Sequence, residues 1–208
     1  MDRIKRLFET ADYETKKGNH RKAAEAYEEI LRLAENDKRT RHIAHWGIGD
    51  IYLNNKQYSK AEYHLQKAVQ LDPTEPIYHY LLGCTYTYLQ EIDRAISHLE
   101  KATELDDSRD IYWGQLGWVY GYNRDIDKGI EYLKRALALN PTNVKSLKDV
   151  CMLYAKNRKW SEALVCIEEA MEQDPDNSEI IRIKRDIEFF EREFKRLTGN
   201  QGTNQTGK

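Results

Sequence analysis

A 34-residue period dominates this sequence. Residues 110–143 hold Trp113, Leu116-Gly117, Tyr120, Gly129, Leu133, Ala136-Leu137, Leu139 and Asn140-Pro141. One period earlier the same series reads His79, Leu82-Gly83, Tyr86, Ala95, Leu99, Ala102, Leu105. Two periods earlier it reads His45, Ile48-Gly49, Tyr52, Ala61, Leu65, Ala68, Leu71, Pro73. One period later it reads Leu147, Val150-Cys151, Tyr154, Ala163, Ile167, Ala170, Pro175. A repeat this short cannot bury its apolar face alone. Stacked copies share one continuous core, so an array replaces the ordinary single-core domain.

Each repeat carries two apolar stripes at helical spacing, separated by a polar break. In residues 110–143 the first stripe is Ile111, Leu116, Val119 and Tyr120. The second, after Gly121-Tyr122-Asn123-Arg124-Asp125, is Ile126, Ile130, Leu133, Ala136 and Leu137. Gly117 with Gly129, Gly83 with Ala95, and Gly49 with Ala61 let the paired helix backbones approach closely. Pro73, Pro141 and Pro175 follow second helices, where proline ends the helix and resets the chain direction.

These residues resemble the tetratricopeptide repeat, a helix-turn-helix unit. The resemblance covers residues 4 to about 177, in units 4–37, 42–75, 76–109, 110–143 and 144–177. It implies an all-α fold, a right-handed superhelical α-solenoid of tandem helix-turn-helix repeats. The first unit departs from the pattern. Its second helix fits with Gly18-Asn19, Ala23, Tyr27, Ile30-Leu31 and Leu33, but Thr10 sits where Leu or Ile is expected. Four extra residues within 35–41 separate it from the second unit. The fifth unit carries Cys151 at the glycine position.

Residues 178–197 form a further helix, capped by Asn177 or Ser178. Its stripe is Ile180, Ile183, Ile187, Phe190, Phe194 and Leu197. A capping role over the fifth unit is expected. At 1.5 Å per residue it spans roughly 30 Å against about 20 Å for a repeat helix. The overhang with Phe189, Phe190 and Phe194 is the basis of an alternative role as a self-assembly seam. Residues 198–208 lack apolar side chains and are expected to be disordered.

Charged residues make up 33% of the chain, yet the net charge is −2, which offers no broad footprint for nucleic acid. No apolar run approaches the roughly 18 residues of a membrane span. The N-terminus, Met1-Asp2-Arg3-Ile4-Lys5-Arg6, leads into a charged amphipathic helix without an apolar leader segment, so a cytoplasmic location is expected. Cys84, Cys151 and Cys166 are an odd set without metal spacing and read as reduced thiols.

A search for chemistry returns little. Gly202 to Lys208 has the Gly-x4-Gly-Lys spacing of a phosphate loop, but no strand precedes it and no helix follows. Asn204-Gln205-Thr206 spells a glycosylation sequon only. His42, His45 and His79 read as partly buried repeat positions rather than metal ligands, and Cys84 as a packing residue rather than a nucleophile. Asp106-Asp107 and Asp174-Pro175-Asp176 read as turn and cap residues. The expectation is a non-enzymatic protein without a cofactor.

The family resemblance implies a concave surface lined by the first helices, with ligand-facing residues at their second, fifth, ninth, twelfth and thirteenth positions. These are Ile43, Trp46, Asp50, Leu53 and Asn54 in the second unit, and Ile77, Tyr80, Cys84, Thr87 and Tyr88 in the third. The fourth gives Ile111, Gly114, Trp118, Gly121 and Tyr122, and the fifth Lys145, Lys148, Met152, Ala155 and Lys156. The middle of this groove is aromatic and nearly uncharged. Gly114 and Gly121 are expected to leave a pocket beside Trp118, and Lys145, Lys148 and Lys156 to meet an acidic group. Family members that clamp chaperone C-termini use Lys, Asn and Arg, whereas the matching positions here are Trp46, Asp50, Leu81, Ile111 and Gln115. The expected function is an adaptor that binds a peptide or amphipathic helix of a partner protein.

Overall fold

The computed structural model describes residues 2–123 and 125–199. Among them are eleven α-helices and no strand. They are α1 (Asp2–Lys16), α2 (His20–Leu33), α3 (Lys38–Asn54), α4 (Tyr58–Leu71), α5 (Pro76–Tyr88), α6 (Ile92–Leu105), α7 (Asp110–Tyr122), α8 (Ile126–Leu139), α9 (Val144–Lys156), α10 (Trp160–Gln173) and α11 (Ser178–Gly199). None is long and apolar enough to cross a membrane. They fall into two compact bodies, divided between Ser108 and Arg109.

In the N-terminal body the core runs through Ile30, Ile48, Leu65, Leu82, Tyr86 and Leu99, all fully buried. The close approaches expected from the small residues are present. A Cβ added at Gly49 would meet Leu65 Cγ at 2.6 Å, and one at Gly83 would meet Leu99 Cγ at 2.5 Å. The four extra residues near Arg39 do not form a linker. α3 has 17 residues against 13 in α5, α7 and α9, so they add one turn at its start. Asp37 caps that turn, accepting from the Arg39 N–H at 3.0 Å and the Thr40 hydroxyl at 2.6 Å. Arg41 reaches back to the Leu31 carbonyl at 3.2 Å.

The C-terminal body is built on the closest backbone contact in the sequence pattern. A Cβ at Gly117 would meet the Gly129 carbonyl and the Leu133 nitrogen, both at 2.8 Å. Leu133, Leu147, Val150, Leu153, Ile167 and Ile180 fill the core. α11 caps it with Ile180, Ile183 and Ile187, and Phe194 packs on Trp160 at 6.0 Å. The helix continues through Thr198 and Gly199, two residues past the boundary read from its apolar stripe. The rest of the expected tail, with the phosphate-loop spelling and the sequon, lies outside the described residues.

Within helix pairs the turns repeat as strictly as the core. The Gln57, Glu91 and Lys159 N–H groups donate to the carbonyls of Tyr52, Tyr86 and Tyr154 at 2.8–2.9 Å. Lys56, Gln90 and Arg158 sit one residue earlier at φ of 58°, 64° and 58°, and Gly18 holds the same place in the first pair at 75°. This is the Schellman closure, which favours glycine because a Cβ is strained at positive φ. Three long side chains therefore occupy a glycine position. Combining Lys56→Gly with Gln90→Gly is expected to raise the stability of the N-terminal body by about 1 kcal/mol, strain relief exceeding the added chain entropy. Urea denaturation checks this. An unchanged or lower midpoint would show that the turns carry no strain.

Tyrosines at this repeat position also hold cations. Lys60 lies 5.2 Å from the Tyr52 ring centre, Arg94 3.9 Å from Tyr86, and Lys128 4.9 Å from Tyr120. Each cation is eight residues after its tyrosine, on the second helix of the pair, and ties the two helices at their shared turn.

Candidate functional site: the first-helix faces

Along α3 and α5 the expected surface residues divide by depth. Ile43 is 37% exposed and Tyr88 59%, while Trp46, Asp50, Ile77 and Tyr80 are half-buried. Cys84 is buried at 8% and offers almost no surface, which corrects its placement among partner-contacting residues. Trp46 leans on Tyr78 at 6.3 Å, and its indole N–H is buried without a hydrogen-bond partner among the described residues. Tyr78 in turn bonds His42 Nδ1 at 2.7 Å. Burial pushes the Asp50 carboxyl above its ordinary value, opposed by a hydrogen bond from Asn54 and by His20. Asn54 is exposed and so forms the polar end of this strip.

Tyr58, at the start of α4, stacks on Tyr88 with ring centres 4.8 Å apart and planes within 9°. Sequence reasoning passed over Tyr58 because it lies on a second helix. Its signal was only the 30-residue separation from Tyr88, which puts it in the turn beside the end of the next first helix.

On the C-terminal body, Ile111 and Met152 are each 37% exposed and Tyr122 50%. Trp118 is half-buried and contacts Tyr122 at 6.4 Å. The expected pocket beside Trp118 is absent at the two glycines. A Cβ at Gly114 would strike Ser146 Oγ at 2.7 Å, and one at Gly121 would strike Leu153 Cδ1 at 2.5 Å. Both glycines are buried and admit side chains of α9, so they are packing positions.

Lys145 and Lys148 are engaged within the chain. Lys145 donates to Gln115 Oε1 at 3.0 Å and lies 4.0 Å from Asp149. Lys148 pairs with Glu179 at the start of α11. That hydrogen bond, with the lysine charge, holds the Glu179 carboxyl below its ordinary value. Burial pushes Asp149 the other way, against Lys145 and Lys148. An acidic partner would have to displace exposed pairs, which are individually weak. Lys156 is exposed at the end of α9.

No group of three or more metal-ligating side chains occurs among the described residues. Burial pushes the Cys151 thiol up to about 12 and also raises Cys166. Thiolate chemistry is thereby suppressed at both.

Stacked helix pairs with exposed aromatic and aliphatic side chains on their first helices define a helical repeat protein of the protein-binding class. Family models described as tetratricopeptide repeat match residues 8–76, 77–109 and 122–187. The chain belongs to the tetratricopeptide-repeat family, and its fold is an α-solenoid of tandem helix-turn-helix repeats. Its structure is similar to that of MamA, with a TM-score of 0.70 at 23% identity over 85% of this chain and 94% of that one. It is also similar to YrrB, described as a TPR protein with an unusual peptide-binding site, with a TM-score of 0.66 at 19% identity over 86% and 90% of the two chains. TTC0263, a thermophilic TPR protein of Thermus thermophilus, gives a TM-score of 0.68 at 20% identity over 89% and 99%. At these identities the likeness is one of fold. No curated protein matches the sequence.

Proposed function

We propose that this protein is a non-enzymatic adaptor that binds a peptide or amphipathic helix of a partner protein on its first-helix faces. The observation that carries the reading is the exposure of Ile43, Tyr88, Ile111, Tyr122 and Met152, all at first-helix positions. Apolar side chains left in water there gain about 25 cal/mol per Å² when a partner covers them, before association costs. Trp46, Asp50, Asn54, Ile77 and Tyr80 complete the face of the N-terminal body; Trp118 completes that of the C-terminal body, where Lys145 and Lys148 offer charge. YrrB, a structural relative, is described as having a peptide-binding site. The largely buried cysteines suit a reducing cytoplasmic setting.

A second reading, self-assembly through α11, is favoured by the exposure of Phe189, Phe190 and Leu197 at 53%, 55% and 65%. One experiment separates the two. A photo-crosslinking phenylalanine analogue is placed at position 88, 122, 190 or, as a control on a second helix, 63. The adaptor reading expects one partner captured from 88 and 122 and not from 63. Equal capture from all four positions would overturn it. Capture of the chain by itself, from 190 alone, would transfer the function to α11.

A further inference from the structure

All six histidines of the chain lie between residues 20 and 98, and four of them form two equivalent pairs. His45 Nδ1 lies 3.1 Å from His64 Nδ1, and 34 residues on, His79 Nδ1 lies 3.1 Å from His98 Nδ1. Each pair joins the first helix of a repeat to its second. His45 and His79 are buried, at 6% and 7% exposure. We propose that these pairs are an acid-sensitive latch that holds α3 to α4 and α5 to α6 at neutral pH and releases them on acidification. This goes beyond the adaptor reading and does not depend on what the faces bind.

The proton count makes the latch directional. His79 Nε2 lies 3.1 Å from the Pro73 carbonyl, which only accepts, so Nε2 carries the proton and Nδ1 presents a lone pair. His98 Nδ1–H then donates across the pair. Once His79 is protonated, its Nδ1–H can be accepted only if His98 moves its own proton to Nε2, and protonating both rings places N–H against N–H and removes the bond. The His45–His64 contact needs the same division into one donor and one acceptor.

The surroundings oppose protonation further. Burial is the main cause that lowers all four rings, and it takes His45 and His98 to about 4. The Pro73 hydrogen bond partly offsets this at His79. The charged groups acting on the pairs are cations: Arg41 and Lys67 on the first, Lys101 and Arg94 on the second. The neighbouring titratable rings are Tyr52 and Tyr63 beside His64, and Tyr86 beside His98. Glu62 lies beyond Tyr86 and is tied to Arg94 at 3.2 Å.

An unfolded histidine takes its proton near pH 6.5. Rings held lower in the fold contribute stability that is complete above that value and is lost as pH falls toward about 4. For one ring held near 4, the equilibrium for opening rises about 30-fold at pH 5. The body from residue 109 onward has no histidine and does not share this response.

The test is amide hydrogen exchange of the full chain at pH 7.5 and 5.0, corrected for the intrinsic pH dependence of exchange. Protection in α3–α6 is expected to fall at least about tenfold while α9–α11 hold within about twofold. The His64→Asn, His98→Asn double variant is expected to lose most of that difference. An Asn amide donates to a neutral ring and accepts from a protonated one. Unchanged protection in α3–α6, an equal fall in α9–α11, or an undiminished fall in the variant would each overturn the latch. If the variant does not fold, NMR titration of the wild-type rings decides. All four paired rings are expected below the ordinary value, and a ring of either pair titrating at or above it refutes the proposal.

Discussion

A chain ended after Asn177 is expected to lose cooperative unfolding of its C-terminal body and to bind a hydrophobic dye. Ile180 is fully buried, and Ile183 and Ile187 are each 6% exposed, within the same core as Leu147, Leu153 and Ile167. Each fully buried isoleucine contributes about 1.5–3 kcal/mol on the transfer scale, as an upper figure. Removing three, and wetting the surfaces they cover, costs on the order of 5 kcal/mol, comparable to the whole stability of a small domain. The charged pair Lys148–Glu179 is lost as well but adds little at its exposure. The matched control is the full chain with Phe189→Ser and Phe190→Ser, which should stay within about 0.5 kcal/mol because both rings are already exposed. Thermal and urea melts read both. A truncated chain with the full-length midpoint and slope would show that α11 is not a structural cap.

The 34-residue period was enough to place the helices because apolar spacing records which side of a helix is covered. Gly49, Gly83, Gly117 and Gly129 were legible for the same reason: each recurs or has a small counterpart on the paired helix, and the backbones do meet there. Gly114 and Gly121 were misread as open space. A missing side chain looks the same in sequence whether solvent or a neighbour fills the gap, and the neighbours, Ser146 and Leu153, lie on the next helix pair. Long-range polar pairing escaped in the same way. Lys145 and Lys148 looked available because Gln115 and Glu179 are 30 and 31 residues away. The histidine pairs were visible only as a recurrence of His45 at His79, since their partners sit 19 residues on, on the other helix. The extra turn of α3 was hidden by its polar composition, although Asp37 three residues before Thr40 is a cap signal.

The contrast between filled and backbone-blocked glycines gives the second large effect. Gly129→Ala is expected to destabilise the C-terminal body by about 2–3 kcal/mol, and Gly114→Ala to change it by about 0.5 kcal/mol or less. Both substitutions gain up to about 1 kcal/mol of helix propensity, so propensity cannot separate them. What separates them is the atom the new methyl meets. At Gly129 it meets the Gly121 nitrogen at 2.8 Å and the Gly117 carbonyl at 2.9 Å, together with Leu153. Two of these are backbone, so relief requires α7 and α8 to move apart and opens the layer around Leu133. At Gly114 the sole close atom is Ser146 Oγ, at 2.7 Å, with everything else at 3.8 Å or beyond. A serine hydroxyl rotates away about one bond. For a body of this size the Gly129 change corresponds to a midpoint lower by roughly 10 °C or more. Equal melting shifts for the two variants would mean that the α7–α8 backbone approach does not set the packing, and that the shared small residues of the repeat need another explanation.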